Sequence, residues 1–152
     1  MYDTILIPTD GSDVAEAAID HAVDLAERYG ANLHALYVVD TDAVDVGLGT
    51  EQVERIKAGR FDEMPELESR ALEATDVVAD RAGKYGIEVI ESVVAGRPHI
   101  EIADYAEANG IDLIVIGSHG RSGVRRALLG SVTERVLRTS RVPVLVVDAE
   151  DE

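Results

Sequence analysis

The sequence predicts an α/β domain built on an open, doubly wound, five-stranded parallel sheet with helices on both faces. Short apolar runs rich in β-branched residues alternate along the chain with longer segments whose apolar positions recur at i, i+3 and i+4. The apolar runs are near-continuous rather than alternating with polar residues, the pattern of strands covered on both faces. Neither an internal repeat nor a linker interrupts this order, so one domain is expected over residues 1–148, followed by an acidic tail at 149–152.

Thr4 to Thr9 (TILIPT) reads as the first strand, stopped by Pro8. Asp10-Gly11-Ser12-Asp13 supplies turn and cap chemistry, with Asp13 and Glu16 at capping-box spacing. The helix that follows carries Ala15, Ala18, Ile19, Ala22 and Ala26 on one face, and Gly30 suits its C-terminal cap. Leu33 to Val39 is the second strand, closing on Asp40. Residues 41 to about 64 hold Gly47, Gly49 and Gly59 among acids and show no firm period.

Leu67, Ala71, Ala74, Val78 and Ala82 mark a long helix that ends at Gly86, and Ile87 to Val94 is the third strand. After Gly96-Arg97, Pro98 is suited to the first position of a short helix with Ile102, Ala103 and Ala106 inward and Asn109-Gly110 at its end. Leu113 to Ile116 is the fourth strand. A helix opening at Gly130-Ser131, with Val132, Val136 and Leu137 inward, leads to the fifth strand, Val142 to Val147.

The strand order expected is 3-2-1-4-5. Ligands of such sheets bind beyond the carboxyl ends of the strands where the winding reverses, here between strands one and four. Asp10 and Gly117 are expected to face each other there.

The composition narrows the chemistry. Thirty acids against fourteen bases give a formal net charge of −16, which opposes binding to nucleic acid or anionic lipid. Only Lys57 and Lys84 are lysines, and an acid-rich, lysine-poor surface suits a halophilic setting where dense salt screens self-repulsion. The absence of cysteine excludes disulfides, thiol catalysis and cysteine-ligated zinc and agrees with a reducing cytoplasm. MYDTILIPTD enters a strand without a basic leader, and no apolar run approaches the roughly 20 residues of a membrane span. A soluble, unprocessed, cytoplasmic protein without membrane contact is expected.

Against this acidity, the segment from Leu113 to Val147 has Glu134 as its only acid beside Arg121, Arg125, Arg126, Arg135, Arg138 and Arg141. It also holds the glycines. A polyphosphate needs backbone N–H groups that can be approached closely and a helix N-terminus whose free donors and dipole favour negative charge. Gly117 and Gly120 remove Cβ atoms from a loop at a strand end, and Gly130 and Ser131 open the last helix, where Ser131 adds a hydroxyl. No G-x-x-x-x-G-K-[ST] occurs, and Gly47-Leu48-Gly49 lacks the third glycine and the strand-to-helix context of a dinucleotide fingerprint.

Most of these residues also have a structural reading. Asp10 suits a ribose hydroxyl or a helix cap, Gly117 and Gly120 suit phosphates or a tight turn, and Ser131 suits a phosphate or an N-cap. His119 and the loop arginines fit phosphate contacts or an exposed loop; Arg135, Arg138 and Arg141 suit a solvated helix face. His21, His34 and His99 are scattered and form no ligand set, and no metal-ligand cluster is evident.

The pattern G-x-x-G, nine residues, then G-[ST], formed by Gly117, Gly120, Gly130 and Ser131, resembles that of nucleotide-binding universal stress proteins. The resemblance extends to ILIPTDGS, YVVD, AGRPH and RVPVLVV and leaves out only residues 41 to about 64. It implies a fold like that of the adenine nucleotide alpha hydrolases, a homodimer paired through the last strand at Val144, Leu145, Val146 and Val147, and ATP as ligand, with Mg²⁺ only alongside it. By position, Asp10 would contact the nucleoside beside Pro8 and Thr9, and the backbone of Val38 would read the adenine edge. Gly117, Ser118, His119, Gly120, Arg121, Gly130, Ser131 and Val132 would surround the phosphates. An apolar edge strand invites pairing, which such a dimer would satisfy.

No residue beside the phosphates declares itself as orienting a water, so no catalytic residue is assigned. The function expected is nucleotide-dependent regulation or protection under stress, through a protein partner the sequence does not name. A slow ATPase and a chaperone-like module that does not use nucleotide are the alternatives.

Overall fold

The computed structural model describes residues 1–41, 65–119 and 129–148. Its five parallel strands are β1 (Thr4–Pro8), β2 (Asn32–Asp40), β3 (Val89–Gly96), β4 (Leu113–Gly117) and β5 (Val144–Val147), in the expected order β3-β2-β1-β4-β5. The helices among the described residues are α1 (Asp13–Tyr29), α2 (Pro65–Gly83), α3 (Pro98–Ala108) and α4 (Ser131–Thr139).

Successive strand side chains point to opposite faces, so each strand serves two cores. Ile5, Ile7, Leu33, Ala35, Leu113 and Val115 pack with Ala18, Ile19, Ala22 and Ala26 of α1 and Val78 and Ala82 of α2. Leu6, Leu36, Ile114 and Ile116 pack on the other face with Ile102 and Ala106 of α3 and Val136 of α4. Ile5, Leu6 and Ile7 are fully buried, as a strand covered on both faces requires. The alanines of α1 bring its backbone close to the sheet. Gly30 ends it in the left-handed region at φ 68°, where a side chain would be strained, with its N–H donating to Ala26 O.

Local geometry corrects several expectations. Ser12, rather than Asp13, caps α1: its hydroxyl accepts from Ala15 N–H at 3.2 Å, and Glu16 pairs with Arg81 at 2.7 Å instead of closing a capping box. β3 begins at Val89 and runs on to Gly96, because its pairing with β2 from Leu33↔Val89 to Asp40↔Gly96 sets its limits. β5 begins at Val144, opposite Ile114. On α4, Leu137 faces solvent at 41% exposure and Thr133 takes the inward place. Ala103 is half-buried rather than central to its helix's inner face. Arg138 pairs with Glu134 one turn away at 2.9 Å, the arrangement of a solvated helix face.

Among the described residues, two titratable groups are displaced from their ordinary values. His34, against the Tyr105 hydroxyl at 2.7 Å, is held below the ordinary imidazole value by burial. On edge strand β3, Glu91 is held above the ordinary carboxylate value, first by partial burial, then by the Asp76 carboxyl and the charges of Asp76 and Asp80 on α2, with a hydrogen bond to Thr75 opposing. A carboxyl whose folded-state pKa is raised favours folding while protonated, and that contribution is lost as pH rises through the raised value. Glu91→Gln is therefore expected to raise the melting temperature at pH 7, with the gain shrinking as pH falls toward 4.5, the ordinary value, and in molar salt. Differential scanning calorimetry across pH and salt checks this; an unchanged or lowered melting temperature at pH 7 would contradict it.

The strand-end cleft as candidate functional site

The winding reverses between β1 and β4, which pair only at Ile5↔Leu113 and Leu6↔Ile114 and then diverge. Beyond them the chain continues as Thr9–Ser12 after β1 and as Ser118–His119 after β4. The turn after β1 is self-bonded: Thr9 N–H donates to Leu36 O at 2.9 Å, Gly11 N–H to the Thr9 hydroxyl at 3.2 Å and Ser12 N–H to Asp10 Oδ1 at 2.9 Å. Asp10 thus shapes the approach to α1 while Ser12 caps it. Pro8 ends β1 opposite Leu36. Val38 lies two residues further along β2, so β2 projects past β1 at that point, where its own partner is Val94 of β3.

Gly117 ends β4 opposite Val147. A Cβ there would lie 2.8 Å from Val14 Cγ1 and 3.2 Å from the Val14 backbone carbon and oxygen. The space on its Cβ side is thus taken by the first turn of α1, a packing role in addition to the phosphate and turn readings of the sequence. Thr133 donates its hydroxyl to Gly117 O at 2.7 Å, tying α4 to the strand end. The sequence reading missed this residue because a hydrophobic pattern does not register a buried threonine.

Ser118 joins three elements. Its N–H donates to Val147 O and its carbonyl accepts from Gly130 N–H, each at 2.8 Å. Its hydroxyl, buried, donates to Asp148 Oδ1 at 2.8 Å and lies 3.2 Å from His119 Nδ1. Asp148, the last residue of the domain as the sequence bounds it, is thereby tied to the end of β4.

The start of α4 is the open part of the site. Gly130, buried, is its N-cap, with no side chain to bond the first turn. The first helical bond runs from Glu134 N–H to Gly130 O at 2.9 Å, so the N–H groups of Ser131, Val132 and Thr133 precede any intrahelical partner. α1 differs, since the Ser12 hydroxyl accepts from one of its first-turn donors, Ala15 N–H. Ser131 is exposed, and the Val132 side chain packs into the core layer beneath, leaving its backbone to the helix start. A Cβ on Gly130 would lie 3.0 Å from His119 Cα, so helix start and loop are in contact.

Pro8 ends β1 with Thr9 and Asp10 following it, and Gly117, Ser118 and His119 end the neighbouring β4, where Ser118 O holds Gly130 at the start of α4, which continues with Ser131 and Val132. Gly120, Arg121, Arg125 and Arg126 lie outside the described residues, as does the stretch at 42–64. A cavity of about 140 Å³, lined by Thr9, Gly11, Glu16 and Arg70 among others, includes none of the cleft's glycines at 117 or 130 and is too small for a nucleotide. Among the described residues, no helix is long and apolar enough to cross a membrane.

A family model for the universal stress protein family matches residues 1–148. Universal stress protein MJ0531 of Methanocaldococcus jannaschii is 40% identical over 148 residues, which cover 97% of this chain and 82% of the relative. The solved structure of MJ0577, from the same organism, superposes with a TM-score of 0.78 at 31% identity, covering 100% of this chain and 99% of the other. A crystal structure of a universal stress protein in complex with cAMP superposes with a TM-score of 0.65 at 27% identity, covering 97% of both chains.

Proposed function

The chain belongs to the universal stress protein family, and from that membership we propose that it binds ATP, with Mg²⁺ carried by the nucleotide, at the cleft between β1 and β4. In this reading it is a nucleotide-dependent regulatory or protective protein of the stress response rather than an efficient ATPase. The uncapped start of α4 carries the reading: its free N–H groups, next to a loop held by Ser118, suit phosphate oxygens. A related protein in complex with cAMP supports an adenine nucleotide as the ligand class.

The phosphates lie against Gly117, Ser118, Gly130, Ser131 and Val132, with His119, Gly120 and Arg121 contributed by the connecting loop. Pro8, Thr9 and Asp10 border the ribose, and the Val38 backbone meets the adenine where β2 projects beyond β1. The protein works as a homodimer through β5, the sheet edge, whose Leu145 is 36% exposed and flanked by half-buried Val144 and Val146. Val147 is already buried within its own chain, so it contributes backbone rather than side chain to that pairing.

Isothermal titration calorimetry with MgATP in high salt tests the reading. Saturable binding is expected, with adenosine weaker because it lacks the phosphates that α4 would hold. Folded protein that binds neither would overturn it.

A further inference from the structure

We propose that Asp148 and Ser118 are positioning residues that hold His119 with Nδ1 protonated, so that Nε2 takes up a proton when phosphate binds beside α4. This rests on the nucleotide reading above. Ser118 is 5% exposed; its hydroxyl donates to Asp148 Oδ1 at 2.8 Å and sits 3.2 Å from His119 Nδ1. A carboxylate only accepts, and a hydroxyl has one proton to give. With that proton committed to Asp148, Ser118 Oγ can only accept from the ring. Nδ1 therefore carries the hydrogen, and Nε2 keeps its lone pair. Among the described residues Nε2 makes no hydrogen bond.

The relay is rigid at its centre. Ser118 is fixed through its N–H to Val147 O and through its carbonyl to Gly130 N–H. The Cα and Cβ of His119 lie where a Cβ on Gly130 would approach to 3.0 and 3.2 Å, so the residue's backbone adjoins the uncapped helix start. An Nε2 lone pair repels a phosphate oxygen, whereas an imidazolium offers it an N–H and a positive charge. One proton passing from solvent to Nε2 makes that change. The chain from Nδ1–H through the Ser118 hydroxyl to the Asp148 carboxylate supports the resulting cation.

The charged groups on the neighbouring elements have these partners. Glu134 on α4 is paired with Arg138 at 2.9 Å, and Glu16 on α1 with Arg81 at 2.7 Å. Asp13 adjoins Val14, which packs on Gly117, and Asp10 at the end of β1 receives Ser12 N–H. Arg121, Arg125 and Arg126 lie outside the described residues.

The test is ATP calorimetry at about pH 7.5 in buffers of different ionisation enthalpy. Proton uptake is read as the difference between wild type and His119→Gln, which cancels the ionisation of ATP itself. Wild type is expected to take up more protons, approaching one per ATP, with no difference for adenosine. Asp148→Asn is expected to lose most of that uptake and to bind ATP roughly tenfold more weakly. In the free protein, ¹⁵N NMR should find Nδ1 of His119 protonated, with the bias lost in Ser118→Ala. Equal uptake by wild type and His119→Gln, Asp148→Asn matching wild type, or a ring protonated at Nε2 in the free protein would each overturn the proposal alone. Absence of ATP binding would overturn it together with the nucleotide reading.

Discussion

Gly117→Ala is expected to destabilise the protein by about 1–3 kcal/mol, the usual cost of forcing an extra methyl group into a packed interior. The added Cβ would meet Val14 Cγ1 at 2.8 Å and the Val14 backbone at 3.2 Å. A side-chain tip can rotate away, but the backbone at the first turn of α1 is held by Ser12, whose hydroxyl and carbonyl accept from Ala15 and Glu16. Gly117 is equally fixed, through Thr133 on its carbonyl and Val147 across the ladder. Neither side gives way without breaking a bond. Adding Val14→Ala removes the closest atom and leaves the 3.2 Å contacts, so the double variant should recover part of the loss. The expected double-mutant coupling is about 1 kcal/mol. Urea unfolding of the four proteins measures it, and strictly additive losses would show that the two residues do not share this contact.

That contact also marks what could be read from the sequence. The alternation of strands and helices and most of the helix faces followed from periodicity and from turn residues, because those signals are local. A glycine at a strand end reads as room for a ligand. Whether the room is instead filled by a valine from the first helix depends on a tertiary contact that no spacing encodes. Thr133 and Asp148 were missed for the same reason: each acts through one bond to a residue distant in the chain, Gly117 and Ser118 respectively. On α4, Val136 and Leu137 look alike to a hydrophobic pattern, but only Val136 meets the α3 layer, since the helix turns its Thr133 side inward. The cap of α1 was ambiguous because Asp10, Ser12 and Asp13 are all capable acceptors, and backbone geometry chose Ser12.

Gly130→Val is expected to weaken ATP binding by roughly a hundredfold or more, equivalent to two lost hydrogen bonds to a charged group at about 1.5 kcal/mol each. Gly130 has φ −64° and ψ 154°, an extended conformation open to any residue, so backbone strain is not the cause. The cause is space. A Cβ would stand 3.0 Å from His119 Cα and 3.2 Å from His119 Cβ, and the two further methyl groups of valine enlarge that conflict. Relief requires His119 to move off the start of α4, which pulls on the 2.8 Å bond between Ser118 O and Gly130 N–H. The donors of Ser131 and Val132 would then no longer converge with the loop. Gly130→Ala should lie between valine and wild type, because a displacement of a few tenths of an ångström accommodates one methyl group. Binding is measured by calorimetry, with circular dichroism and urea unfolding to confirm that each variant is folded. A folded Gly130→Val protein that binds ATP as wild type does would mean that the start of α4 does not hold the phosphates, and the nucleotide reading would lose the observation on which it stands.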